Sequence, residues 1–219
     1  MAVKALLFDF DGTLLDSESP SFRSWQEIYA EHGQELALER WVACVGTVGG
    51  FDPLAELERL TRGPLDREAV GGARLRRKLE LIAEEPLRPG VDAYIRDARA
   101  LGLRVGIVTS SALEWVEQNL ARLSSGDGWD CILCANHDPA IAKPSAHLYE
   151  AALVALDVEP SETVAFEDSP NGIAAAKSAG IFCVAVPNPI TAALDLSAAD
   201  LLLESFEELP LAEVLARAV

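Results

Sequence analysis

After "EEPLRPG" at residues 84–90 the chain settles into a rhythm that leaves few folds open to it. A helix-like stretch at 91–101 leads to the strand-like "LRVGIV" (103–108), and helix-like 112–123 leads to "CILC" (131–134). Helix-like 145–156 then precedes "TVAF" (163–166), 170–179 precedes "FCVAV" (182–186), and "DLLLE" (200–204) is followed by 206–217. Short, continuously apolar strands alternating with helices imply a parallel sheet covered on both faces, because a strand with one wet face would alternate apolar and polar residues. Right-handed crossovers carry the helices over the sheet. The fold class is α/β, a Rossmann-like three-layer core.

Residues 3–8 (VKALLF) supply the first strand, and the pattern from about 20 to 85 is helical. Phe22, Trp25, Ile28 and Tyr29 fall at helical spacing, as do Leu54, Leu57 and Leu60, with breaks at "GTVGGFDP" and "RGPLD". We read 16–87 as an α-helical cap inserted into a core of 1–15 and 88–219, and the aromatic stripe as the interior of that cap. Gly46, Thr47, Gly49 and Gly50 read as a flexible loop able to close over a site, or as a plain helix linker; Glu18 and Ser19 mark a candidate hinge.

Ligands of open parallel sheets bind beyond the carboxyl ends of the strands. There "ALLFDFDGTLLDSE" poses a problem, since Asp9 and Asp11 lie two apart and would point the same way on an extended chain. Two such charges about 4 Å apart repel by roughly 4 kcal/mol at an effective dielectric of about 20. The other strand ends supply what offsets this: Thr109, Ser110 and Ser111, then Lys143-Pro144-Ser145, then Glu167-Asp168-Ser169-Pro170. Taken singly these are helix caps, a solvated lysine and first-turn acids; Ser111 with Glu114 even has capping-box spacing. Taken together, four carboxylates around one point call for a hard divalent cation, and Mg²⁺ prefers few carboxylates plus phosphate oxygens. The lysine and the hydroxyls would then hold the remaining phosphate oxygens.

The net charge of −17 argues against nucleic acid and anionic membranes as partners. The basic run Arg74, Arg76, Arg77 and Lys78 reads as a solvated helix face. No apolar stretch reaches the roughly 18 residues of a membrane span, and no secretory signal opens the chain, so a cytoplasmic protein is expected; for an acidic chain of this size a monomer is the plain expectation. Of the cysteines (Cys44, Cys131, Cys134, Cys183), the C-x-x-C pair has no second pair to complete a zinc site, and its members read as reduced thiols in a buried strand. His32, His137 and His147 are scattered.

"DFDGTLLDSE", "VTSS", "KPS" and "EDSPNG" resemble, in order and spacing, the four signature motifs of the haloacid dehalogenase-like hydrolase superfamily. Within it they resemble the helical-cap branch of the β-phosphoglucomutases and many small sugar-phosphate phosphatases; the cap agrees in position and helical character only. The resemblance implies that Asp9 is the nucleophile that forms an aspartyl-phosphate. It implies that Asp11 protonates the leaving alcohol and later takes a proton from water. It further implies that Thr109, the Ser110 amide and Lys143 bind the phosphate. Mg²⁺ would be held by Asp168, helped by Glu167, with Asp9 and the main-chain carbonyl of Asp11.

An acid at position 11 separates the chain from the superfamily's dehalogenases, its phosphonate-cleaving branch and its transport ATPases. The mutases carry a first-cap-helix histidine where this chain has Ser21, and a lysine and asparagine where it has Ala112 and Leu113; their cap-loop arginine has no counterpart in "VGTVGGFDP". The expected activity is a Mg²⁺-dependent phosphatase acting on a small phosphorylated metabolite, a sugar or polyol phosphate. The alternatives are a sugar phosphomutase and a non-catalytic phospho-metabolite binder.

Overall fold

A computed structural model describes residues 2–42, 51–124 and 128–218. Cys44 and the candidate closing loop at Gly46, Thr47, Gly49 and Gly50 lie outside these residues.

Six parallel strands, β1 (Ala5–Phe8), β2 (Arg104–Thr109), β3 (Cys131–Cys134), β4 (Thr163–Glu167), β5 (Phe182–Ala185) and β6 (Leu201–Leu202), lie in the order β3-β2-β1-β4-β5-β6. Successive residues serve opposite faces. Leu6 and Phe8 join Val105, Ile107, Val164 and Phe166 beneath α5 (Val91–Ala100), α6 (Leu113–Arg122) and α9 (Leu211–Arg217). Ala5 and Leu7 join Val108, Ala165 and Cys183 beneath α7 (His147–Leu156) and α8 (Pro170–Ser178). Both faces are therefore dry, which is why these strands read as unbroken apolar runs.

The sheet differs from the sequence expectation at its margins. β3 is an edge strand and all four of its residues are half-buried, so Cys131 and Cys134 are free thiols on a partly covered edge, while Cys183 is buried. β6 is two residues long; just before it the Asp200 amide donates to Cys183 O at 2.9 Å, and the Asp200 carboxylate takes Lys177 Nζ at 2.5 Å and the Cys183 amide at 2.8 Å. The last helix begins at Leu211, not 206, because Pro210 disfavours helical backbone in the residue before it.

Between β1 and α5 run α1 (Glu18–Glu31), α2 (Leu38–Val42), α3 (Pro53–Thr61) and α4 (Arg67–Glu84). Asp52 caps α3 through the amides of Leu54 and Ala55, and Asp66 caps α4 through that of Ala69. Phe22, Ile28, Tyr29, Trp41 and Leu57 form an apolar cluster of their own, with Trp25 and Leu60 packed on it, so the aromatic stripe is interior. Ile190, from the loop after β5, joins that cluster. The basic run is not a uniform solvated face. Arg77 pairs with Glu27 at 2.6 Å, Arg74 donates to Ser21 Oγ at 2.5 Å and covers the Trp25 ring, and only Arg76 is exposed. Lys78 is half-buried, and desolvation lowers its pKa.

Candidate active site

The strand order switches from one side of β1 to the other, where β4 pairs directly beside it, so the ends of these two strands open the crevice. The Asp9 amide continues the pairing by donating to Phe166 O at 3.0 Å. Asp9, Glu167 and Asp168 are 7, 0 and 3% exposed, and one oxygen from each lies within 4.8 Å of the others. Lys143 enters from the segment between β3 and α7, its Nζ bonded to Asp9 Oδ1 and 2.7 Å from Glu167 Oε1. The Tyr149 hydroxyl, buried on α7, donates to the same Glu167 oxygen at 2.5 Å.

Three acids facing one ammonium leave this pocket short of positive charge. Burial pushes the Asp9 carboxyl up to about 7 despite the opposing pull of Lys143. Asp168 is raised well above its ordinary value by burial and then by the charges of Asp9 and Glu167. Burial works against the Lys143 ammonium, but Asp9 and Glu167 outweigh it and hold the proton on. Among the described residues, Glu167 Oε2 is buried with no hydrogen-bond partner. A buried carboxylate oxygen left in that state is costly unless a cation meets it. An oxygen-only donor set with one unanswered oxygen fits a hard divalent ion such as Mg²⁺.

The turn after β1 decides where Asp11 goes. β1 ends at Phe8, and Gly12 adopts φ +87°, a conformation that glycine reaches without steric penalty. The expected parallel projection of Asp9 and Asp11 therefore does not hold. The Asp11 carboxylate accepts from Ser111 Oγ at 2.5 Å and from the Trp115 indole at 3.0 and 3.1 Å, and it is not among the clustered acids. It lines a cleft of about 480 Å³ with Glu18, Lys78, Ser110, Trp115 and His137. Thr109 is buried at the end of β2, its Oγ1 accepting from the Ser111 amide at 3.2 Å. Ser110 is exposed, and its Oγ accepts from the Lys143 amide at 3.0 Å, tying two strand ends together.

A model of the haloacid dehalogenase-like hydrolases matches residues 3–180. The chain belongs to that family. YhcW of Bacillus subtilis, a protein named as a phosphatase, is 41% identical to this hydrolase over 213 residues, which cover 97% of this chain and 96% of that one. Hexitol phosphatase B of Escherichia coli K12 is 31% identical over 192 residues, 85% of each chain. A crystal structure of CbbY from Rhodobacter sphaeroides in complex with phosphate superposes with a TM-score of 0.69 at 34% identity, covering 94% of this chain and 96% of that one. A second structure of that protein holds xylulose 1,5-bisphosphate.

Several residues that shape the hydrolase site escaped the sequence reading. Asn188 Nδ2 donates to Asp168 Oδ2 at 2.8 Å, while its Oδ1 accepts from the Ile190 and Thr191 amides. It follows β5, so the strand-end rule pointed there too. Arg88 reaches Gly12 O at 2.7 Å, Val186 O at 2.8 Å and Pro187 O at 2.6 Å, pinning the loop after β1 to the loop after β5. Tyr149 and Trp115 sit inside helices with no local sign of a polar partner. The capping box at Ser111 does not form: α6 has Ala112 at its N-cap, which leaves Ser111 one residue outside the helix, and Asn136 Oδ1 takes the Leu113 amide at 2.8 Å. Ser169 and Pro170 do start α8 as expected, with Ser169 Oγ accepting from the Gly172 amide at 3.2 Å.

Proposed function

We propose that this hydrolase is a Mg²⁺-dependent phosphatase that cleaves a small sugar or polyol phosphate through an aspartyl-phosphate. The observation that carries the reading is the division of labour at the crevice. Asp9 sits with Lys143 in the buried acidic cluster, and Asp11 faces the cleft on the other side. Asp9 attacks phosphorus in line, and the bond to the departing alkoxide breaks as Asp11 delivers a proton to it. Water then attacks the aspartyl-phosphate while Asp11 takes back a proton, releasing phosphate and restoring Asp9. Lys143 offsets charge on the phosphoryl oxygens, and Thr109 and the Ser110 amide orient them. Asp9, Glu167 and Asp168, with the main-chain carbonyl of Asp11, would hold Mg²⁺, which when bound screens the phosphate's charge from the nucleophile.

Residues 16–87 serve as a cap over the core of 1–15 and 88–219, closing over the site at each turnover. The sugar or polyol class is supported by hexitol phosphatase B, by the CbbY complex with a sugar bisphosphate, and by the size of the cleft. Against a mutase stands Ser21, which is 6% exposed and engaged by Arg74, and does not line the cleft.

Phosphate release from a panel of phosphorylated sugars and polyols, with and without EDTA, tests the reading. Turnover indifferent to EDTA, or undiminished in Asp9→Asn, overturns it. Conversion of β-glucose 1-phosphate to the 6-phosphate without free phosphate would establish the mutase. No turnover, with metabolites still raising the melting temperature, would establish the binder.

A further inference from the structure

We propose that Trp115 is the positioning residue that aims Asp11 at the leaving group; this rests on the phosphatase reading above. Asp11 follows a strand end and precedes a left-handed glycine, so little in its own segment fixes the side chain. Left free, a carboxylate there would be drawn toward Lys143 and any bound cation, where it would be useless to a departing alcohol. The indole N–H of Trp115 lies 3.0 Å from one Asp11 oxygen and 3.1 Å from the other, and Ser111 Oγ lies 2.5 Å from the second. These donors hold the carboxylate on the cleft side.

The anchor is itself held. Trp115 stands in the first turn of α6, half-buried, and packs on the main apolar core, so its N–H projects from a fixed base. Capping of α6 by Asn136 leaves Ser111 free to share the task. An indole donates but cannot accept. It therefore orients Asp11 in either protonation state without competing for the proton that must pass to the alcohol.

Such a role is read from leaving-group dependence. Substituted phenyl phosphates running from p-nitrophenyl to p-methoxyphenyl need progressively more protonation of the departing oxygen. kcat/KM reports only steps up to its departure, so slow dephosphorylation does not mask the effect. Trp115→Phe keeps the apolar contact and removes the donor. It should lower kcat/KM about tenfold or more for p-methoxyphenyl phosphate but less than about threefold for p-nitrophenyl phosphate, since a general acid contributes roughly 10²–10⁴ where protonation matters. Trp115→His, which restores an N–H, should recover part of the loss. An equal fall across the series, or an unchanged profile, overturns the positioning role. Asp11→Asn separates the two levels: a wild-type slope in that variant overturns the acid role of Asp11 itself, and a steep slope there beside a wild-type slope in Trp115→Phe overturns only the role of Trp115.

Discussion

Gly12 and Asp168 are fitted so closely that a Cβ at residue 12 would stand 2.1 Å from Asp168 Oδ2 and 2.9 Å from Asn188 Nδ2. The turn that ends the first strand thus leaves no room for a side chain between residue 12 and the third clustered acid. Gly12→Ala should lose about 1–3 kcal/mol from the left-handed backbone alone, and should weaken magnesium uptake by displacing Asp168. Chemical denaturation and calorimetric titration with Mg²⁺ check the two effects; unchanged uptake would show that Asp168 is not part of the cation's seat.

Tyr149→Phe removes one of the two donors on Glu167 Oε1 while keeping the ring, which lies 5.6 Å from Lys143 Nζ. Stability should fall by about 1–2 kcal/mol. The magnesium concentration for half-maximal activity should rise by about tenfold, the lower end of what loss of a ligand's outer partner costs. A titration of activity against Mg²⁺ reads this directly, and no change would place the hydroxyl outside the metal's influence.

Without metal, stability should decline as pH rises. Asp9 is raised from its ordinary 3.8 to about 7, and Asp168 is raised as well, so the folded state binds protons that the unfolded chain releases. The stabilisation is complete below about pH 4 and is lost as pH climbs through the folded value. In EDTA the melting temperature should therefore be higher near pH 5.5 than near pH 7.5, and millimolar Mg²⁺ should narrow the gap. Equal pH dependence with and without Mg²⁺ would count against the cluster as its source.

Lys143→Ala leaves three acids in a nearly dry pocket with no ammonium among them. Removing one partner of a buried ion pair costs about 3–5 kcal/mol. The loss of melting temperature should be larger in EDTA than in Mg²⁺, since the cation supplies part of the missing charge. Turnover should fall by about 10²–10³ with the phosphoryl group less well neutralised. Differential scanning fluorimetry in both conditions, beside phosphate release, distinguishes this from a plain folding defect.

Much of the site was legible because of how parallel sheets are built. Asp9, Thr109 and Glu167 lie at or just beyond strand ends, Lys143 lies in the connection that follows β3, and any fold with these strands brings those ends to one edge. Tyr149, Trp115 and Asn136 could not be found this way. Each acts on a residue from another element, and a local pattern carries no trace of a partner 18, 104 or 23 positions away. The capping box failed for a related reason: α6 starts at Leu113 with Ala112 at its N-cap, so Ser111 stands one residue outside the helix, where its hydroxyl donates to the Asp11 carboxylate.

The alternation of buried strands and covering helices, the helical insertion after the first strand, and the delivery of acids, hydroxyls and a lysine to one edge of the sheet are all written in the order of residue types along the chain. They can be written there because burial on two faces and strand-to-helix punctuation are local properties of composition. Which acids meet was settled when the elements packed together. Asp9 turns to Lys143, Glu167 and Asp168, while Asp11, two residues on, turns to Ser111 and Trp115. That choice was made by a left-handed glycine packed against Asp168, and by hydrogen-bond donors set in place by the packing of other strands and helices.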